Sequence, residues 1–168
     1  DSEIELSTYI IDYLGSAVDH IRSDVSKKSV HILGLCQGGT FAVCYASLFP
    51  QKISSLITTA SPINFHSDKD RLGALIRHLD LELFNNFSKT VDGRLLNFLF
   101  LFLKPYKLLQ KKYFDLLENG HDISYVEDFL KMEKWIFDSP AISSKAFQEF
   151  AFYFYKENAL VENTLVLN

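Results

Sequence analysis

The sequence predicts an α/β fold in which a parallel strand–helix–strand unit is followed by a long, mainly helical insertion. Three observations carry that expectation. The strand-like run Val30-His31-Ile32-Leu33 leads straight into a glycine-flanked turn at Cys36. A helix of small residues, Gly38 to about Phe49, follows the turn and leads into a second strand, Ile53 to Ala60. After Ser61-Pro62 the strand–helix alternation stops, and helical spacing dominates from about Phe65 to Glu157.

Taken in chain order, residues Ile4 to about Val25 place Leu6, Ile10, Leu14, Ala17, Val18 and Ile21 at helical spacing, which makes one buried face. Ser26-Lys27-Lys28-Ser29 connects that helix to the first strand. The crossover through the next helix makes the two strands parallel. That helix is expected to pack on the sheet through Ala42, Cys44 and Ala46. Gly73, Gly93, Pro105, Gly120 and Pro140 mark boundaries within the helical insertion. Near Leu160 to Leu167 a strand-like pattern returns. The expected organisation is a partial α/β core over residues 1–63, a helical cap insertion over 64–157 and a return strand over 158–168.

Composition narrows the class of function. The 168 residues are of single-domain size, with 48% hydrophobic and 23% charged residues, ordinary globular chemistry. A net charge of −4 with scattered basic residues gives no electrostatic footprint for nucleic acid. Two cysteines on one short helical unit make no disulfide framework, so a reducing cytoplasm is the expected location. No secretory signal opens the sequence, and a chain beginning on Asp1 reads as cut from something longer. The most apolar stretch, Leu95 to Leu103, is shorter than the ~20 residues a membrane span requires, so no transmembrane segment is expected. It reads either as a buried helix or as a contact surface for a partner or polymer.

The chemistry concentrates at Gly34-Leu35-Cys36-Gln37-Gly38. A residue on a sharp strand-to-helix turn sits where the nucleophile elbow of an α/β-hydrolase-type fold carries its serine; here the position holds a thiol. Such a turn demands tiny neighbours, and Gly34 and Gly38 are expected to meet that demand. The helix N-terminus directs partial positive charge toward Cys36. The backbone N–H of Gln37 is placed to serve as one oxyanion donor. Cys36 is therefore the candidate nucleophile, with a small buried cysteine as the alternative. Cys44, two helical turns on, reads as packing.

Beyond the elbow, further segments carry a resemblance: Gly39-Thr40, Cys44-Tyr45-Ala46-Ser47-Leu48, Leu96-Asn97-Phe98, Leu103-Lys104-Pro105 and Met132-Glu133-Lys134-Trp135-Ile136-Phe137-Asp138-Ser139-Pro140. Together with Gly34-Leu35-Cys36-Gln37-Gly38, they make the chain resemble the catalytic subunit of polyhydroxyalkanoate synthases of the short, two-subunit class, over nearly all its positions. The resemblance implies acyl transfer from a 3-hydroxyacyl-coenzyme A to a growing polyester, through an acyl thioester on Cys36. Coenzyme A is then part of the substrate and is released, and no cofactor or metal is implied. It also implies a second synthase subunit, self-association and a place at the surface of polyester granules in the cytoplasm.

In the chain order of that fold, the catalytic Asp and His follow strands beyond the cap, so both are expected downstream of Asn168, and the chain alone is expected to be inactive. Among His20, His31, His66, His78 and His121, all weak substitutes for the base, His66 is the best placed, since it follows the second strand. A surface or supporting role fits it better. Asn64 stands where members of that family often carry an aspartate. Two other classes stay open: a cysteine-dependent hydrolase of the dienelactone or esterase type, and a non-catalytic chain that binds a partner or granule.

Overall fold

The helix that opens the chain is fixed by what it must bury. The protein, described from a computed structural model that covers residues 3–67, 71–81, 89–95, 97 and 111–167, begins with a π-helical stretch, Thr8–Tyr13, that runs into α1, Leu14–Asp24. Leu6, Ile10 and Val18 lie in the core as their spacing predicts. Ala17 and Ile21, expected on the same face, are exposed. The wider π turn shifts the helical phase, and the buried place falls to Gly15, where a β-carbon would stand 3.4 Å from the Tyr45 ring.

Strand β1, Val30–Leu35, pairs in parallel with β2, Ile53–Thr59, with Ile32 opposite Leu56 and Gly34 opposite Thr58. The crossover between them is α2, Gln37–Leu48, followed by a single 3-10 turn, Pro50–Lys52. Apolar Ala42, Cys44 and Tyr45 of α2 are buried, while Ala46 is half-buried. Asp19 of α1 bonds both Arg22, at 2.7 Å, and Lys52, at 2.8 Å, and those two cations hold its carboxyl below the usual carboxylate range.

After β2 the chain enters α3, Arg71–His78. The chain divides into two compact units. One comprises 3–81 with 145–167, and the other lies within 82–144. The expected insertion, 64–157, contributes to both: α3 and the chain from Lys145 onward belong with the strand-bearing unit.

In the smaller unit, β3, Thr90–Val91, pairs antiparallel with β4, Ile142–Ser143. Helices α4, Lys112–Asn119, and α5, Ile123–Phe137, are joined by a turn in which Asp122 caps α5, its Oδ1 accepting from the amide of Ser124 at 2.9 Å. Lys112 bridges the two helices to Glu133 at 2.6 Å, and Tyr113 donates to the other oxygen of that carboxylate. Asn97 donates to the carbonyl of Ile136 and to Ser139. Of the apolar run Leu95–Leu103, only Leu95 and Asn97 fall among the described residues; the others lie outside them. Among the described residues no helix is long and apolar enough to cross a membrane.

The chain rejoins the first unit through α6, Ser144–Phe150, which continues as a π-helical stretch, Ala151–Lys156. Phe150 and Phe154 pack with Phe65 into an aromatic cluster, ring centroids 4.8–6.1 Å apart. Glu149 accepts from the amide of Leu6 at 2.7 Å, and Lys145 pairs with Glu5, so the end of the chain is tied to its beginning. Among the described residues the expected strand at Leu160–Leu167 is not formed. Asn158 and Asn163 stand at φ 49° and 54°, and the turns they make break the extended pattern.

Tyr45 is fully buried, and its hydroxyl has no hydrogen-bond partner among the described residues. Deleting a polar atom that is already unpaired removes a desolvation cost without removing a bond. Tyr45→Phe is therefore expected to leave urea-unfolding stability unchanged or to raise it by about 1 kcal/mol. A loss of that size in the full-length protein would mean the hydroxyl is bonded.

Candidate active site

Cys36 occupies the tip of the turn between β1 and α2, with φ 53° and ψ −128°. A non-glycine residue there is strained by about 1–3 kcal/mol and persists only where its surroundings leave no alternative. Those surroundings are visible on both sides of the turn. The Cys36 amide donates to the carbonyl of Thr59 at 3.0 Å, extending the β1–β2 ladder one residue into the turn. Its carbonyl accepts from the amides of Gly39 at 2.9 Å and Thr40 at 3.4 Å.

With the amides of Gly39 and Thr40 engaged, those of Gln37 and Gly38 are first-turn helical donors with no acceptor inside the helix. The thiol of Cys36 is exposed and does not cap α2. An exposed sulfur beside open amides at a helix N-terminus can act as a nucleophile with an anion-stabilising donor next to it. Cys44 has none of these features. It is buried, and burial pushes its thiol up to about 11, which keeps it a neutral packing side chain.

The structure corrects one element of the motif. Gly34 and Gly38 are the expected tight positions, yet a β-carbon on Gly38 would meet nothing within 4 Å. The second tight glycine is Gly39. A β-carbon on Gly34 would overlap the Gly39 α-carbon and stand 2.8 Å from the Gly38 carbonyl, and one on Gly39 would overlap the side chain of Ser61. The close approach thus runs from the end of β1 to the second residue past Gln37, and on to the residue that follows β2. Ala60, at φ 51°, makes the turn that brings Ser61 there.

None of the five histidines is joined to Cys36 by a hydrogen bond among the described residues. His31 bonds Ser55 across the strand pair at 2.7 Å, and His20, His78 and His121 are exposed. The His66 ring donates from Nε2 to the carbonyl of Tyr155 at 3.0 Å, a bond that anchors the loop. Asn64 also acts structurally. Its Oδ1 accepts from the amide of His66 at 2.9 Å and from Nδ2 of Asn158 at 3.1 Å, two bonds that an aspartate oxygen accepts equally well. Thr40, Ser61 and Asn158 were not legible as site residues from spacing alone; Gly39-Thr40 directly after the elbow was the one available signal.

The protein belongs to the α/β hydrolase fold family, whose model matches residues 1–168. Within that class it is similar to proteins named poly(3-hydroxyalkanoate) polymerase subunit PhaC. It is 38% identical to that of Thiocystis violacea, covering 99% of this chain and 47% of the relative. Identity is 36% to that of Allochromatium vinosum, with the same coverage, and 35% to that of a Synechocystis species, covering 99% of this chain and 46% of the relative. The chain spans about half the length of these curated relatives.

The glycine geometry makes opposed expectations for neighbouring residues. Gly39→Ala forces a β-carbon into Ser61 and is expected to destabilise the full-length protein by about 1–3 kcal/mol. Gly38→Ala adds a helix-favouring methyl in open space and is expected to be neutral or stabilising by up to about 1 kcal/mol. Urea-unfolding midpoints of the two variants check the order; equal effects would contradict it.

Proposed function

We propose that the full-length protein is a poly(3-hydroxyalkanoate) synthase, an acyltransferase in which Cys36 carries the acyl group. The observation that supports this most strongly is an exposed thiol at a strained strand–helix turn, in a chain similar over 99% of its length to polymerase subunits. In this reading the Cys36 sulfur attacks the thioester carbonyl of a 3-hydroxyacyl-coenzyme A. The carbonyl oxygen becomes an oxyanion facing the Gln37 amide. Collapse breaks the carbon–sulfur bond to coenzyme A, which leaves as its thiol with one proton, and the acyl group remains as a thioester on Cys36.

A hydroxyl then attacks that thioester, an ester bond forms, and the Cys36 sulfur is released for the next cycle. A thioester suits this role because it keeps the acyl group activated, whereas a serine ester is a poorer donor. The proton acceptor and its carboxylate partner are taken to come from beyond Asn168, where the chain order of the fold puts them. The reading needs no cofactor or metal beyond the coenzyme A of the substrate. In this reading residues 64–157 form the cap insertion, a second subunit and self-association complete the enzyme, and the enzyme works at polyester granules in the cytoplasm.

The full-length protein with its partner subunit is expected to release coenzyme A from 3-hydroxybutyryl-coenzyme A and to deposit insoluble polyester. Cys36→Ala is expected to lower the rate by more than about a thousandfold, the scale seen when a nucleophile is removed. Free 3-hydroxybutyrate without polymer would replace the synthase with a hydrolase. Normal polymer from Cys36→Ala would overturn the nucleophile assignment.

A further inference from the structure

We propose that Asn158 is a positioning residue for the Cys36 elbow, acting through the loop Ser61–His66 that follows β2. The proposal rests on the reading of Cys36 as nucleophile for its catalytic consequence, and on geometry alone for the coupling itself.

The loop is tied at both ends. At the elbow, Thr40, fully buried in the first turn of α2, donates from Oγ1 to the carbonyl of Pro62 at 2.8 Å. Ser61 fills the space opposite Gly39 and donates to the carbonyls of Thr59 at 3.2 Å and Gly34 at 3.4 Å. At the far end, the amide of Phe65 donates to Oδ1 of Asn158 at 2.9 Å, and Nδ2 of Asn158 donates to Oδ1 of Asn64 at 3.1 Å. Arg77 adds a bond from Nη1 to the carbonyl of Phe65 at 2.9 Å, and His66 one to Tyr155.

Asn158 combines two properties. Its backbone stands at φ 49°, where asparagine and glycine are the tolerated residues. The residue is 4% exposed, and its side chain uses both its acceptor and a donor on the same loop. Glycine satisfies the first property and not the second. A residue needed only to turn the chain would not require that pair of bonds. The strained backbone at Cys36 needs surroundings that over-determine it. The tie from Asn158 through Asn64 and Phe65 to Pro62, Thr40, Ser61 and Gly39 supplies that support from a segment over a hundred residues later.

Asn158→Gly in the full-length protein separates the two roles, because it keeps the turn and cuts the tie. Hydrogen exchange read by mass spectrometry on the peptide holding Gly39 and Thr40 is expected to speed up about tenfold, the scale of losing a buried hydrogen-bonded contact. Coenzyme A release per alkylatable Cys36 is expected to fall about tenfold at saturating substrate, with KM little changed. Asn64→Asp, which keeps the accepting oxygen, is expected to match the unsubstituted protein in both readouts. Faster exchange confined to residues 61–66 and 158–164, with the elbow peptide and the rate per site unmoved, would overturn the proposal. If Asn158→Gly does not fold, Thr40→Val cuts the same tie at its other end, and unchanged elbow exchange there would overturn it equally. A wild-type protein that releases no coenzyme A would sink the synthase reading, while the exchange comparison would still decide the coupling.

Discussion

The close approach between the end of β1 and the first turn of α2 sets the terms for everything around Cys36. Gly34 and Gly39 leave no room for a β-carbon, so strand and helix meet backbone to backbone. The chain has only Leu35 to Gly38 in which to reverse between them, and that forces a residue into a left-handed conformation. Cys36 takes that place. Its thiol consequently projects from the tip of the turn into solvent instead of lying along the sheet or in the helix. Exposure of the sulfur, the open amides of Gln37 and Gly38, and the contact with Ser61 all follow from this one approach.

A turn of this kind is only as rigid as what holds it. On one side the β1–β2 ladder continues into the turn through the Cys36 amide. On the other, Thr40 and Ser61 fasten the loop after β2 beneath α2, and that loop is fastened in turn to the aromatic layer of Phe65, Phe150 and Phe154. Sheet, crossover helix and the late helix α6 are thus parts of one mechanical unit centred on the elbow. The cluster buries large rings, which gives the loop its stability, while the hydrogen bonds of Asn64 and Asn158 give it a single register.

Much of this was legible in the sequence because it depends on local chemistry. The alternation of a β-branched strand, a glycine-flanked turn and a small-residue helix specifies the β1–α2–β2 unit, and the parallel pairing follows from the crossover. The elbow position of Cys36 was readable for the same reason. Other features were not, because they arise between residues distant in the chain. Gly38 looks as constrained as Gly39 until Ser61 is placed beside the latter. The phase of the first helix depends on a π turn that periodicity does not encode, so Ile21 came out exposed. Nothing in the local pattern singles out Asn158, and only the fold brings Asn64 and Phe65 to its side-chain amide. The strand-like pattern of Leu160–Leu167 lost to the turns that Asn158 and Asn163 impose.

The central claim is that the strained, exposed Cys36 becomes acylated. The most direct measurement is mass spectrometry of peptides from the full-length protein quenched in acid after brief exposure to 3-hydroxybutyryl-coenzyme A. The account predicts a hydroxybutyryl group on the peptide that contains Cys36, removed by neutral hydroxylamine as a thioester is, and absent from Cys44. Turnover of the substrate with the acyl group found on another residue, or on none at any time, would contradict it.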